Sequence, residues 1–107
     1  MEKDMTETEN GRQGQQVRYK LLLFVNGETA GSERALRNIR QICQEHLNQC
    51  CDLQLIDVRQ NPDKVRKYGI LAVPALLKLS PPPERRVVGD LSEKEKTLSA
   101  LDIYPEE

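Results

Sequence analysis

Leu21-Leu22-Leu23-Phe24-Val25 is the longest uninterrupted apolar run in this chain, and it stops at Asn26-Gly27, a turn signal. Successive side chains of a strand point to opposite faces, so Tyr19–Val25 predicts a strand buried on both sides rather than one. Five residues are far too few to cross a membrane. After polar Glu28–Gly31, Ser32 is expected to cap a helix, with Glu33 in the first turn where the helix dipole favours an acid. Ala35, Leu36, Ile39, Ile42, Cys43 and Leu47 then recur at three- and four-residue spacing, which makes one apolar stripe on an amphipathic helix. Leu53–Val58 reads as the next strand. A strand, a helix and a strand predict a right-handed parallel unit.

The second half follows a different pattern. Asn61-Pro62 opens a short helix, with Asn61 as cap and Pro62 at the first helical position, and Gly69 is placed to end it in a left-handed conformation. Ala75–Leu79 is a third strand, Ser80-Pro81-Pro82-Pro83-Glu84 a stiff connection, and Arg85–Val88 a fourth strand paired with the third as an antiparallel hairpin. Ser92-Glu93-Lys94-Glu95 matches the capping box S-x-x-E and opens a last helix with Leu98 and Leu101 on its buried side. The order βαβαββα predicts an α/β, thioredoxin-like fold. Val73-Pro74, directly before the third strand, is expected to be cis and to face the start of the first helix.

Composition then narrows function. The 107 residues carry 16 Lys+Arg against 17 Asp+Glu, a net charge of -1, and Arg85-Arg86 has no aromatic stacking partner close in sequence. No nucleic-acid partner is expected. Residues 1–18 hold only Met1, Met5 and Val17 as apolar residues and predict a disordered tail. The folded domain is expected over 19–104, with a short tail at 105–107. The start of the chain lacks the apolar stretch of a secretory signal, and three cysteines are an odd number, so a reducing, cytoplasmic setting is expected. Cys43 falls in the apolar stripe and reads as a small buried hydrophobe; Cys50 and Cys51 follow the helix, and His46 is the one histidine. Four zinc ligands are hard to assemble from that set, so no metal and no cofactor are expected.

A thioredoxin-like oxidoreductase needs a low-pKa thiolate at the start of the first helix. Gly27-Glu28-Thr29-Ala30-Gly31-Ser32 occupies that position and contains no thiol. Asp57 and Asp90 read as cap or turn residues rather than acid–base catalysts. The expectation is a binding module, not an enzyme.

Particular strings resemble one family. Leu21–Thr29 with Ser32, Ile56-Asp57-Val58 followed by Asn61-Pro62, and Ile70–Leu76 with Lys78 are similar to the KaiB family of circadian clock proteins. So, most specifically, is Pro81-Pro82-Pro83-Glu84-Arg85-Arg86-Val87-Val88-Gly89-Asp90-Leu91-Ser92, followed by Glu95-Lys96 and Leu98. The resemblance runs from Tyr19 to Asp102. It implies a non-enzymatic clock or signalling protein that binds the N-terminal ring of a hexameric KaiC-type ATPase. In cyanobacteria that complex also captures KaiA and recruits output histidine kinases.

The resemblance further implies two alternative folds: a thioredoxin-like monomer that binds KaiC, and a rearranged, often tetrameric state, so a homo-oligomer is a family outcome. By this resemblance Lys64, Arg66 and Lys67 on the second helix are candidate contact residues, with Arg34 and Arg85 weaker ones. Pro74, Gly89, Asp90 and Ala100 bear on the choice of fold. The capping box, together with Ala100 where cyanobacterial members commonly have Gly, favours the thioredoxin-like state. Gly69 stands where those members usually carry a lysine used in partner binding, which argues against KaiA capture. The alternatives are a KaiB homologue in a non-circadian stress response and a thiol oxidoreductase using Cys43, Cys50 or Cys51.

Overall fold

The computed structural model describes residues 18–47 and 50–103. The tails expected at 1–18 and 105–107 lie outside them, except for Arg18. The described residues form β1 (Tyr19–Val25), α1 (Ala30–His46), β2 (Cys51–Asp57), α2 (Pro62–Tyr68), β3 (Ala75–Ser80), β4 (Arg85–Val88) and α3 (Lys94–Ala100), the expected order. The sheet order is β2-β1-β3-β4. β1 runs parallel to β2, with Leu23 opposite Leu55, and antiparallel to β3, with Leu23 opposite Leu76. β4 completes the antiparallel hairpin on β3.

An interior position in the sheet explains the apolar run, since Leu21 through Val25 are all buried. Leu21, Leu23 and Val25 pack on one face with Ala35, Ile39 and Ile42 of α1 and Leu98 of α3. Leu22 and Phe24 pack on the other with Ile56 and Leu77, under Val65 and Tyr68 of α2. The Phe24 and Tyr68 rings meet edge-on at 6.0 Å, a favourable quadrupole geometry. Helices therefore cover both faces of the sheet, α1 and α3 on one side and α2 on the other.

Local signals were displaced where a nearby group competed for the same hydrogen bond. Thr29, not Ser32, caps α1: its backbone is extended and its Oγ1 accepts the Ser32 N–H at 3.3 Å. Ser32 lies inside the first turn, buried, where its Oγ accepts the Asn26 N–H at 3.1 Å. The capping box at Ser92 does not form. The Asp90 carboxylate takes the Ser92 N–H at 3.1 Å, Leu91 turns left-handed with φ 65°, and the helix begins later, behind Glu93, which makes no side-chain cap bond. Asn61 precedes Pro62 as expected, but its side chain donates to the Asp57 carbonyl at 2.9 Å instead of capping. Gly69 does end α2 in the left-handed region, φ 63°.

Cys43 is not an inert hydrophobe. It is disulfide-bonded to Cys51, eight residues on, with a Cα–Cα distance of 6.1 Å. The last buried turn of α1 stands over the first residue of β2, and the odd cysteine count hid that pairing; Cys50 stays outside it. Lys78 is a second surprise, 1% exposed within β3. Its Nζ donates to the Pro81 carbonyl at 2.8 Å, so the buried ammonium anchors the proline connection, while desolvation pulls its pKa down. Val73-Pro74 is cis, as expected, and Ser80-Pro81 and Pro82-Pro83 are cis as well.

Candidate functional site

The start of α1 shows what the thioredoxin-like position has become. Thr29-Ala30-Gly31-Ser32 puts two hydroxyls at the spacing a C-x-x-C pair would occupy, and Thr29 Oγ1 donates to Ser32 Oγ at 2.9 Å. A Cβ built on Gly31 would lie 3.9 Å from both Pro74 Cδ and the Arg34 guanidinium, so the cis-proline faces this turn. The hydroxyls cap a helix and satisfy Asn26; they supply no thiolate.

Four of the residues singled out from the sequence meet beside that turn. Arg34 Nε donates to Asp90 Oδ2 at 3.1 Å, and Asn38 Nδ2 donates to the Asp90 carbonyl at 2.7 Å. Gly89, at φ 130°, donates its N–H to the Pro74 carbonyl at 2.9 Å. Hydrogen bonds from Ser92, then from Arg34, hold the Asp90 carboxyl below the ordinary carboxylate range. Arg34, Pro74, Gly89 and Asp90 thus form one cluster that ties α1 to the strand ends. Arg34's side chain is half exposed, with its Nε engaged by Asp90.

On the opposite face of the sheet, α2 carries the cationic group. Arg66 and Lys67 are exposed and Lys64 is half-buried. Arg66 is paired with Asp63 one turn earlier, and Lys67 Nζ sits 5.3 Å from the Tyr68 ring centroid. The turn that follows presents Leu71 at 98% exposure, and Val88 of β4 is 57% exposed. Arg86, absent from the candidates drawn from sequence, joins these parts. Its Nη2 donates to the Tyr68 carbonyl at 2.8 Å and its Nη1 to the Gly69 carbonyl at 3.2 Å, closing the carbonyl end of α2 from the neighbouring strand.

Strand alternation separates Arg85 from that surface. Val87 packs with the α1 and α3 core, so Arg85 shares its side of the sheet, while Arg86 and Val88 share the side of α2. The alternation is readable in Arg85–Val88, and it was the signal that would have preferred Arg86. Ala100, the last residue of α3, is exposed and lies on the helix that packs against the α1 side. Lys64, Arg66 and Lys67 thus lie on α2, directly before the turn that carries exposed Leu71, while Arg85 and Ala100 lie on the other side of the sheet.

At the end of β2, Arg59 forms an ion pair with Asp57, Nη2 to Oδ2 at 2.9 Å. Those side-chain bonds, with the Arg59 backbone N–H, lower the Asp57 pKa to about 2. Gly27, at φ 58°, lies under the Arg59 guanidinium; an added Cβ would come within 2.6 Å of Nη2, so a side chain there would displace the pair. This is a turn lock, as expected of Asp57.

Known proteins match this arrangement at two levels. The KaiB domain model matches residues 22–103. The chain is 40% identical over 89 residues to circadian clock protein KaiB3 of Synechocystis sp., covering 83% of this chain and 87% of that protein. Among solved structures, the N-terminal domain of Synechococcus elongatus SasA superposes with a TM-score of 0.66 at 22% identity, covering 83% of this chain and 85% of that one. A thioredoxin from Malassezia sympodialis superposes at 0.63 with 15% identity, covering 79% and 73%. At those identities the two structures speak for the thioredoxin-like fold. The sequence matches go further, and the chain belongs to the KaiB family.

Proposed function

We propose that this protein is a non-enzymatic clock or signalling regulator that docks on the N-terminal ring of a KaiC-type ATPase hexamer through α2 and the turn 69–74. The observation that carries the reading is Leu71, held 98% exposed next to the basic helix. An apolar tip that follows a helix carrying Lys64, Arg66 and Lys67 fits a partner patch with an apolar pocket and acidic surroundings, the tip supplying affinity and the charges mostly encounter rate and register. Membership of the KaiB family supports a clock-related role. The hydroxyl pair at the start of α1 supports a role without thiol chemistry there. An output histidine kinase is a second partner of the same kind, and KaiA is not included. A cytoplasmic location goes with these partners.

Co-purification with the KaiC-type ATPase of the same organism, with and without ATP, tests the reading. Wild-type protein is expected to be retained on the ring. The K64E/K67E variant should bind at least several-fold more weakly, and L71A should weaken binding without altering its salt dependence. Absence of retention in either nucleotide state would overturn the reading, and unchanged affinity of both variants would remove this surface from it.

A further inference from the structure

Cys43 and Cys51 line an open groove of about 900 Å³ between α1 and the edge strand β2, with Leu53 in its wall and Glu33, Arg37 and Arg40 along it. The disulfide is not at the thioredoxin-like position: Cys43 lies toward the opposite end of α1 from Thr29 and Ser32. The two cysteines differ in exposure, since Cys43 is 9% exposed and Cys51 is half-buried at the start of the strand. The charged side chains of the groove, two guanidiniums against one carboxylate, favour an anionic visitor.

We propose that the Cys43–Cys51 pair is a reversible thiol–disulfide exchange site for small anionic thiols and disulfides of the glutathione class. In the oxidising direction the Cys51 thiolate attacks one sulfur of the oxidised tripeptide. A mixed disulfide forms on Cys51 and one tripeptide thiolate leaves. The Cys43 thiol gives its proton to solvent and attacks the Cys51 sulfur. The protein disulfide closes and the second tripeptide thiolate leaves. The two cysteines lose two electrons, the small disulfide gains two, and the protons end on the two released thiols. In reverse, the small thiolate attacks the sulfur of Cys51, the more exposed of the two cysteines, and Cys43 is the leaving group. Exchange fastens or frees the end of α1 against the start of β2.

The test uses the full chain carrying C50S, so that the neighbouring thiol cannot scramble the products. In glutathione buffers of graded redox ratio, alkylation and mass spectrometry are expected to show the pair interconverting between closed and open forms. C43S/C50S should accumulate a tripeptide adduct on Cys51, and C51S/C50S at least tenfold less on Cys43. R37E/R40E, two exposed positions, should slow exchange with the tripeptide several-fold and leave exchange with uncharged 2-hydroxyethyl disulfide unchanged. Raising salt should reproduce that selectivity without any substitution. No interconversion, equal adducts on Cys43 and Cys51, or equal slowing of charged and uncharged reagents would each overturn the proposal.

Discussion

Two adjacent arginines, Arg85 and Arg86, should behave very differently when truncated. Arg86 donates to the Tyr68 and Gly69 carbonyls, 2.8 and 3.2 Å away, at the end of α2 where the helix leaves carbonyls without internal partners. A net hydrogen bond contributes about 0.5–1.5 kcal/mol. A cation near a helix C-terminus adds about 0.3–1 kcal/mol. Because the contacts are exposed, the lower halves of these ranges apply to the two bonds and the charge, so R86A should lose about 1.3–2.6 kcal/mol. Among the described residues Arg85 donates to the adjoining Glu84 carbonyl, and R85A should stay within about 0.5 kcal/mol of wild type. Urea titration read by far-UV circular dichroism measures both. The slope should not change, and thermal melts should show R86A lower by at least about 4 °C. R86K keeps the charge but loses the fork, and should fall between R86A and wild type. A loss for R85A equal to or larger than that for R86A would refute the reasoning, because it would mean that the strand does not hold the end of α2.

Other perturbations follow from particular contacts. T29A removes the α1 cap and the bond to Ser32, and should cost about 1 kcal/mol, whereas S92A, which removes no cap but only the exposed side-chain hydrogen bond from Ser92 to Asp90, should cost clearly less in the same urea titration. Asp57 has a folded pKa of about 2, below the ordinary 3.8. Its contribution is therefore fully present above about pH 4 and is lost as pH falls through about 2, and D57N should flatten the acid limb of stability against pH. Reducing the Cys43–Cys51 disulfide opens a loop of eight residues and should cost about 2.5 kcal/mol by loop-closure entropy, measured as the difference in urea stability with and without reductant.

The sequence carried the elements and their order because apolar runs and stripes are local signals that tertiary packing reinforced. Leu21–Val25 could be buried on both faces only inside a sheet, and it sits between β2 and β3. Gly69 ended α2 because a residue without Cβ takes the left-handed conformation at little cost. Caps were less legible. Ser32 and Ser92 have the right chemistry, but Asn26 and Asp90 engage them first, and that competition depends on chain geometry. The disulfide escaped because counting cysteines says nothing of which pair the α1–β2 connection brings within reach. The candidate contact residues on α2 came from family resemblance. The alternation of Arg85–Val88 could have pointed to Arg86, whereas Leu71 and Lys78 emerge only when the turn before Pro74 and the depth of β3 are known.

The most direct measurement is an amide-resolved NMR titration of the isotopically labelled chain with the unlabelled KaiC-type ATPase ring. In the unbound protein, helical chemical shifts are expected across Lys94–Ala100, as α3 requires. On addition of the ring, signals from Lys64 to Leu71 and from Arg86 and Val88 should broaden first and most. Signals from Arg37, Arg40 and Cys51 in the groove on the other side should be affected least. Broadening confined to that groove, or none at saturating ring concentration, would contradict the account.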